Sequence, residues 1–323
     1  MKRRMPAVVL VALVALIAGI APVLAQSYPT RPVRVVVPFA AGGPLDLVGR
    51  AVFEKLSASL KQPFVMENRT GAGGNIGTEA VAKAAPDGYT LLFVLSGTLT
   101  ANPAIYRKLP FNVEKDLRPI SLLAASTQML VVHPSLPVNS LAEFVAYARK
   151  QPVTYAHAGS GSGGHLAMEY FRTMAGFETV QVPYRGNAPL VIDLVAGQVK
   201  AGFVSTAGVI QHVRDGKLKG LAISAPARSP LAPDVPTTAE AGYPDFKLAT
   251  YFVLLGPAGL PDAIAERLER EAAAVLKSSD LKDKFRPQDI EIVASSAADA
   301  RAFLRADTAL WARIAKDANL RAD

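Results

Sequence analysis

Short runs of β-branched and apolar residues alternate along the chain with stretches whose apolar positions recur every three or four residues. That alternation predicts an α/β chain. Strands are predicted at Val33–Val37, Thr90–Leu95, Gln128–His133, Thr154–His157, Thr179–Val182, Gly202–Val204, Leu218–Ser224 and Tyr251–Leu255. Helices are predicted over Leu47–Leu60, Gly77–Ala85, Leu141–Lys150, His165–Ala175, Ala188–Ala196, Pro261–Ser278 and Ala297–Ala318. In the first helix Val48, Val52, Leu56 and Leu60 recur at fourfold spacing while Arg50, Glu54 and Lys55 point elsewhere, so one face meets a core and the other solvent. Pro86-Asp87-Gly88 is a turn signal between a helix and the following strand. No repeat array or low-complexity tract interrupts the pattern.

The first residues change the picture. Lys2, Arg3 and Arg4 precede an apolar run from Ala7 to about Ile20, and Val23-Leu24-Ala25 supplies a small-x-small site. This reads as a secretory signal peptide, residues 1–25, cleaved near Ala25. An uncleaved membrane anchor is the alternative, because apolar residues continue almost to Ala25. Residues 26–323 suffice for two domains with sizeable cores, since half of the chain is apolar. The absence of cysteine excludes a disulfide framework and a lipid-anchored amino terminus. The net charge of +8 falls to +5 without the three leading basic residues. No Lys/Arg block of the kind that marks nucleic-acid binding is present, so the mild basicity reads as solubility or as weak steering of an acidic small molecule.

Three glycine-rich stretches lead into helices: Ala41-Gly42-Gly43-Pro44, Gly71-Ala72-Gly73-Gly74-Asn75-Ile76-Gly77 and Gly159-Ser160-Gly161-Ser162-Gly163-Gly164. One such loop is an ordinary tight connection; three point to backbone N–H groups presented to an anion. Gly159, Gly161 and Gly164 also match G-x-G-x-x-G, but the acidic residue expected about twenty positions on is missing. Arg185 could instead meet the 2′-phosphate of NADP, which keeps a dinucleotide enzyme open as a minor alternative. The serines do not fit G-x-S-x-G, and His133, His157, His165 and His212 lack metal-ligand spacing, so neither a catalytic residue nor a metal or other cofactor is assigned. His157 and His165 flank the third loop and read as rim or cap contacts. Magnitudes favour a two-loop clamp: each hydrogen bond to a carboxylate contributes roughly 1.5–3 kcal/mol, against an association cost of roughly 4–15 kcal/mol.

Taken in order, Tyr28-Pro29-Thr30-Arg31-Pro32-Val33, Pro38 to Asp46, Glu67-Asn68-Arg69 with Gly71 to Gly77, and Pro86-Asp87-Gly88-Tyr89-Thr90-Leu91 resemble the solute-binding receptors of tripartite tricarboxylate transporters, the Bug family. Val182-Pro183-Tyr184-Arg185-Gly186, Asp193-Leu194, Gly197-Gln198-Val199, Pro233 to Thr237 and Glu240-Ala241-Gly242 agree, so the resemblance covers nearly the whole chain after the signal segment. It implies a two-lobed periplasmic binding protein of the type II-like Venus flytrap kind, each lobe a mixed sheet flanked by helices. The chain would cross between lobes near Ser126–Gln128 and near Tyr251, giving one lobe from 26–126 plus 251–323 and another from 127–250. It further implies a monomer that binds a small carboxylate in the periplasm and hands it to membrane permease subunits. A sensor partner on the same fold is the other reading.

Carried over residue by residue, the resemblance implies that Phe39, Ala40, Ala41, Gly42, Gly43 and Leu45 grip one carboxylate through backbone N–H groups and ordered water, with Ser96, Gly97 and Thr98 lining the same lobe. From the other lobe, Ser160, Gly161, Ser162 and Gly163 would present a helix start up to Gly164. Tyr184 and Arg185 would close one side, and Ser205 and Thr206 another. Asp46 falls at the third helical position behind a Gly43 cap and is expected to serve the helix start. Leu45 stands where the family often has a hydroxyl residue, and Val204 where many relatives carry aspartate. Those departures predict a ligand without an ammonium group.

Overall fold

Val33, Val35, Val36 and Val37 are buried in β1 (Val33–Val37), which explains a valine run without strict alternation. In the computed structural model, which describes residues 28–246, 248–317 and 319–322, β1 lies parallel between β2 (Phe64–Asn68) and β3 (Thr90–Leu95). The sequence-predicted signal segment lies outside the described residues. β2 escapes the sequence pattern because only Phe64 is buried in it. Between these strands run α1 (Pro44–Leu60) and α2 (Asn75–Ala82), and after β3 come the short helices α3 (Ser96–Thr100), α4 (Asn102–Ile105) and α5 (Val113–Asp116). α1 starts three residues earlier than the periodicity predicts, because Pro44 has no N–H to lose at the first helical position.

The sequence pattern also underestimates β4, which spans Leu117–Val132 rather than beginning at Gln128. Its first half contains Pro119 and the run Ala124-Ala125-Ser126-Thr127, which carries little β signal. Pro119 is accommodated where the register shifts, so its missing donor disrupts no regular ladder. β4 serves two partners in succession. From Leu117 to Thr127 it pairs antiparallel with β9 (Ala249–Pro257); from Gln128 to Val132 it pairs with β7 (Ala201–Ser205) and, from Met129, with β8 (Lys219–Ile223). The three-residue β10 (Ile290–Ile292) adds to its first half. The sheet order is β2-β1-β3-β9-β4-β7-β5-β6, with β5 (Val153–His157) parallel to β6 (Thr179–Pro183).

The cores divide as the pairing does, into two lobes. One is built from residues between Tyr28 and Ala124 together with residues between Phe252 and Leu304. Two others draw only on residues from Met129 to Phe246, on opposite faces of the second half of the sheet. The helices of this part are α6 (Leu141–Ala148), α7 (Gly163–Ala175), α8 (Asn187–Val195) and α9 (Thr206–Arg214). After β9 come α10 (Asp262–Leu276), α11 (Ser279–Phe285) and α12 (Ala297–Asp317). A fourth apolar cluster joins the halves: Trp311, Ile314 and Ala315 of α12 meet Ala101, Ile105 and Leu166 of α7.

Candidate functional site

Local sequence sets the first loop. Gly42 has φ +86°, a left-handed conformation that a side chain would strain, and Gly43 is the extended cap of α1. Asp46 does not face a ligand. Its carboxylate accepts from the Gly42 N–H at 3.1 Å, from Asn68 at 3.3 Å and from Arg50 Nε at 2.8 Å, fixing the loop from behind. Burial alone would raise this acid, but the bonds from Arg50, Gly42 and Asn68 outweigh it and hold the carboxyl below its usual range.

The third loop is fixed by histidines. Ser162 caps α7, and the two buried imidazoles accept loop N–H groups at Nδ1, His157 from Gly159 at 3.3 Å and His165 from Gly161 at 3.2 Å. The rings lie 4.6 Å apart. Burial lowers both, and the His157 ring helps to push His165 down to about 3, so both are neutral acceptors at pH 7. This loop meets the other core directly. Gly161 has φ +75°, and a Cβ there would fall 1.9 Å from Asn102 Oδ1.

Between these loops lies a cavity of about 40 Å³, room for a few waters or the head of a small acid. Gly43, Pro44 and Leu45 line it with the start of α1; Ser162, Gly163 and Gly164 with the start of α7; Gly186 and Asn187 with the start of α8; and Ser205 with the cap of α9. Four helix N-termini therefore face one space, each with first-turn N–H groups that have no partner within the helix and a partial positive charge. Among the described residues no charged side chain lines it. Phe39, Ala40, Leu95, Ala158 and Phe252 give apolar wall, and Gln128 with Thr250 forms a buried polar pair, Gln128 Nε2 donating to Thr250 Oγ1 at 3.0 Å.

Of the residues singled out in the sequence, Phe39, Ala40, Gly43, Leu45, Ser162, Gly163 and Ser205 come together at this cavity. The others lie around it. Ala41 and Gly42 are exposed, and Gly42 faces Ala188 across the gap. Ser96 Oγ accepts from Tyr251 N, Thr98 Oγ1 donates to Gly73 O, and Gly97 is pressed against the Gly161 carbonyl. The Ser160 carbonyl abuts Gly73. Thr206 donates to the Thr127 carbonyl at 3.2 Å. The Tyr184 hydroxyl donates to Asp193 at 2.6 Å, and burial together with that carboxylate pushes it up to about 12. Arg185 is exposed and outside the lining. Val204 is buried in a core rather than facing the cavity. Sequence reasoning missed Gln128, Thr250, Asn187 and Phe252, which gain their place only from strand crossing and helix convergence. Among the described residues no cluster of three or more acids and histidines could hold a metal ion.

Comparison with known proteins places the chain in a family. The profile of the tripartite tricarboxylate transporter family receptor matches residues 48–320. The chain is 37% identical to the protein BugT of Bordetella pertussis over 300 residues, 92% of each chain. The solved structure of R. palustris Rpa4515 with adipate superposes with a TM-score of 0.87 at 35% identity, covering 91% of this chain and 99% of that one. MatC (Rpa3494) from Rhodopseudomonas palustris with bound malate gives 0.85 at 32% identity, covering 89% and 99%. The family is one of transporter receptors rather than enzymes, so the dinucleotide alternative raised by the third loop falls away. The chain belongs to the tripartite tricarboxylate transporter receptor family, the Bug proteins, and is a two-lobed solute-binding receptor.

Proposed function

We propose that the chain is a periplasmic receptor that captures a small carboxylate lacking an ammonium group and delivers it to the permease of a tripartite tricarboxylate-type transporter. One observation carries the ligand class: four helix N-termini surround a cavity that no charged side chain among the described residues lines. Each helix end favours an anion by about 0.3–1 kcal/mol, and hydrogen bonds to the charged group add roughly 1.5–3 kcal/mol each. Nothing there would neutralise an ammonium, whose burial without a partner is costly. Adipate and malate in the solved relatives are carboxylates of this kind. In this reading residues 26–126 and 251–323 form one lobe, residues 127–250 the other, and residues 1–25 direct export. Like-signed helix ends facing one another disfavour closure of the empty cleft, so the bound anion is what draws the lobes together.

Native mass spectrometry of protein purified without refolding identifies a retained ligand, and calorimetry against a panel of carboxylates ranks it. A di- or tricarboxylate or an aromatic acid without an amino group should bind without turnover. Tighter binding of aspartate or glutamate than of every unaminated acid would overturn the proposal.

A further inference from the structure

A second concavity, about 980 Å³, lies away from the cleft between the segment 99–119 and α12. Buried Leu99, Phe111, Leu117 and Leu304 give it an apolar floor, and exposed Pro103 and Ala309 add apolar lining. Its margin carries four arginines, Arg107, Arg118, Arg301 and Arg305, against two carboxylates, Glu114 and Asp262. Both acids are committed, Glu114 to Arg305 at 3.0 Å and Asp262 to Arg118 at 2.6 Å. Arg301 is exposed and forms no ion pair with a described residue. Arg118 is largely buried, at 23% exposed, but the Arg305, Glu114 and Asp262 side chains stand in solvent, 67%, 69% and 82% exposed. An apolar centre with an exposed, charged rim is the anatomy of a protein interface; a small-molecule site would enclose its charges.

The walls of this groove are also the elements that touch the opposite lobe. Thr100 Oγ1 donates to Asp307 at 2.7 Å and joins α3 to α12. α12 packs through Trp311 and Ile314 on Leu166 of α7, while Asn102 of α4 abuts Gly161. Movement of α7 and its loop on cleft opening therefore bears on both walls.

We infer that this groove is the docking face for the transporter's membrane subunit, which enters it with an acidic segment bearing apolar side chains and thereby recognises the closed receptor. The inference rests on the receptor reading above. The cationic rim selects an acidic partner, and the apolar floor supplies area for anchoring side chains.

The test uses the full receptor with benzoylphenylalanine in place of Ala312, which is exposed and lines the groove. It is irradiated with membrane vesicles containing its own permease, with and without a bound carboxylate. The expected product is an adduct to the integral membrane subunit that increases with ligand and falls at least about tenfold in Arg301→Glu and in Ala309→Arg, while calorimetry shows unchanged carboxylate affinity. Adducts undiminished in both variants, adducts only to lipid or to a second copy of the receptor, or a small molecule retained in the groove by native mass spectrometry would each overturn it. A receptor that docks with this dependence on Arg301 but binds no carboxylate would leave the groove standing and sink the cleft assignment.

Discussion

Replacing Asn187 by aspartate changes one charge and almost no volume, which makes it a direct probe of the cavity. Asn187 is the first residue of α8, lines the cavity, and faces Gly43, where an added Cβ would lie 3.9 Å from the Asn187 Cβ. Without ligand, the new carboxylate sits at the positive end of its own helix and opposite that of α1. Each end contributes about 0.3–1 kcal/mol, so Asn187→Asp stabilises the empty protein by about 1 kcal/mol and raises its melting temperature by roughly 1–2 °C. With ligand, the sign reverses. Two negative charges about 6 Å apart at an effective dielectric of about 20 repel by about 2.8 kcal/mol, which corresponds to about a hundredfold loss of affinity. Calorimetric titration with the preferred carboxylate at about 0.15 M salt, paired with thermal unfolding of the empty protein, measures both effects. Affinity within about threefold of the parent would refute the reasoning, because it would mean that the anion does not sit where the helix ends converge.

Gly163→Ala drives a Cβ to 2.0 Å from Thr250 Oγ1 and 2.8 Å from Gln128 Nε2, so it should destabilise by about 1–3 kcal/mol and weaken carboxylate binding at least about tenfold. Adding Thr250→Ala removes the obstructing hydroxyl and should restore part of the lost stability in urea unfolding; a strictly additive double variant would contradict the clash. The buried histidines predict acid sensitivity. Their folded-state values lie below the ordinary imidazole value of 6.5, so the unfolded chain binds more protons and stability falls as pH drops from about 6.5 towards 3. His165→Gln keeps an acceptor for the Gly161 N–H and should flatten that slope in urea midpoints measured across pH; an unchanged slope would assign it to other groups.

Much of the first loop was legible in the sequence. Gly42-Gly43-Pro44 after a valine strand has one local solution, a turn with a left-handed glycine and a helix begun by proline, and Asp46 at the third helical position can only serve that turn. Ser162 was legible as part of a helix start, but not as the cap whose hydroxyl accepts from the His165 N–H. Tyr184 and Thr206 were legible as nearby polar groups, but not as groups whose hydrogen bonds go to Asp193 and Thr127. The Gln128–Thr250 pair carries no sequence signal at all, because the partners are 122 positions apart and meet only where β4 and β9 run side by side.

The order of apolar periods, the glycine turns and the caps therefore specified the α/β class and, to within a few residues, the starts of α1, α7 and α8, since each depends on φ/ψ preferences and hydrogen bonds within a few residues. No helix was predicted over α9, and only the tertiary arrangement decided that its start shares one cavity with the other three and that no charged side chain among the described residues lines the space. A helix end is anion-ready wherever it lies; whether it becomes a binding site depends on which other ends the long strand β4 brings to face it.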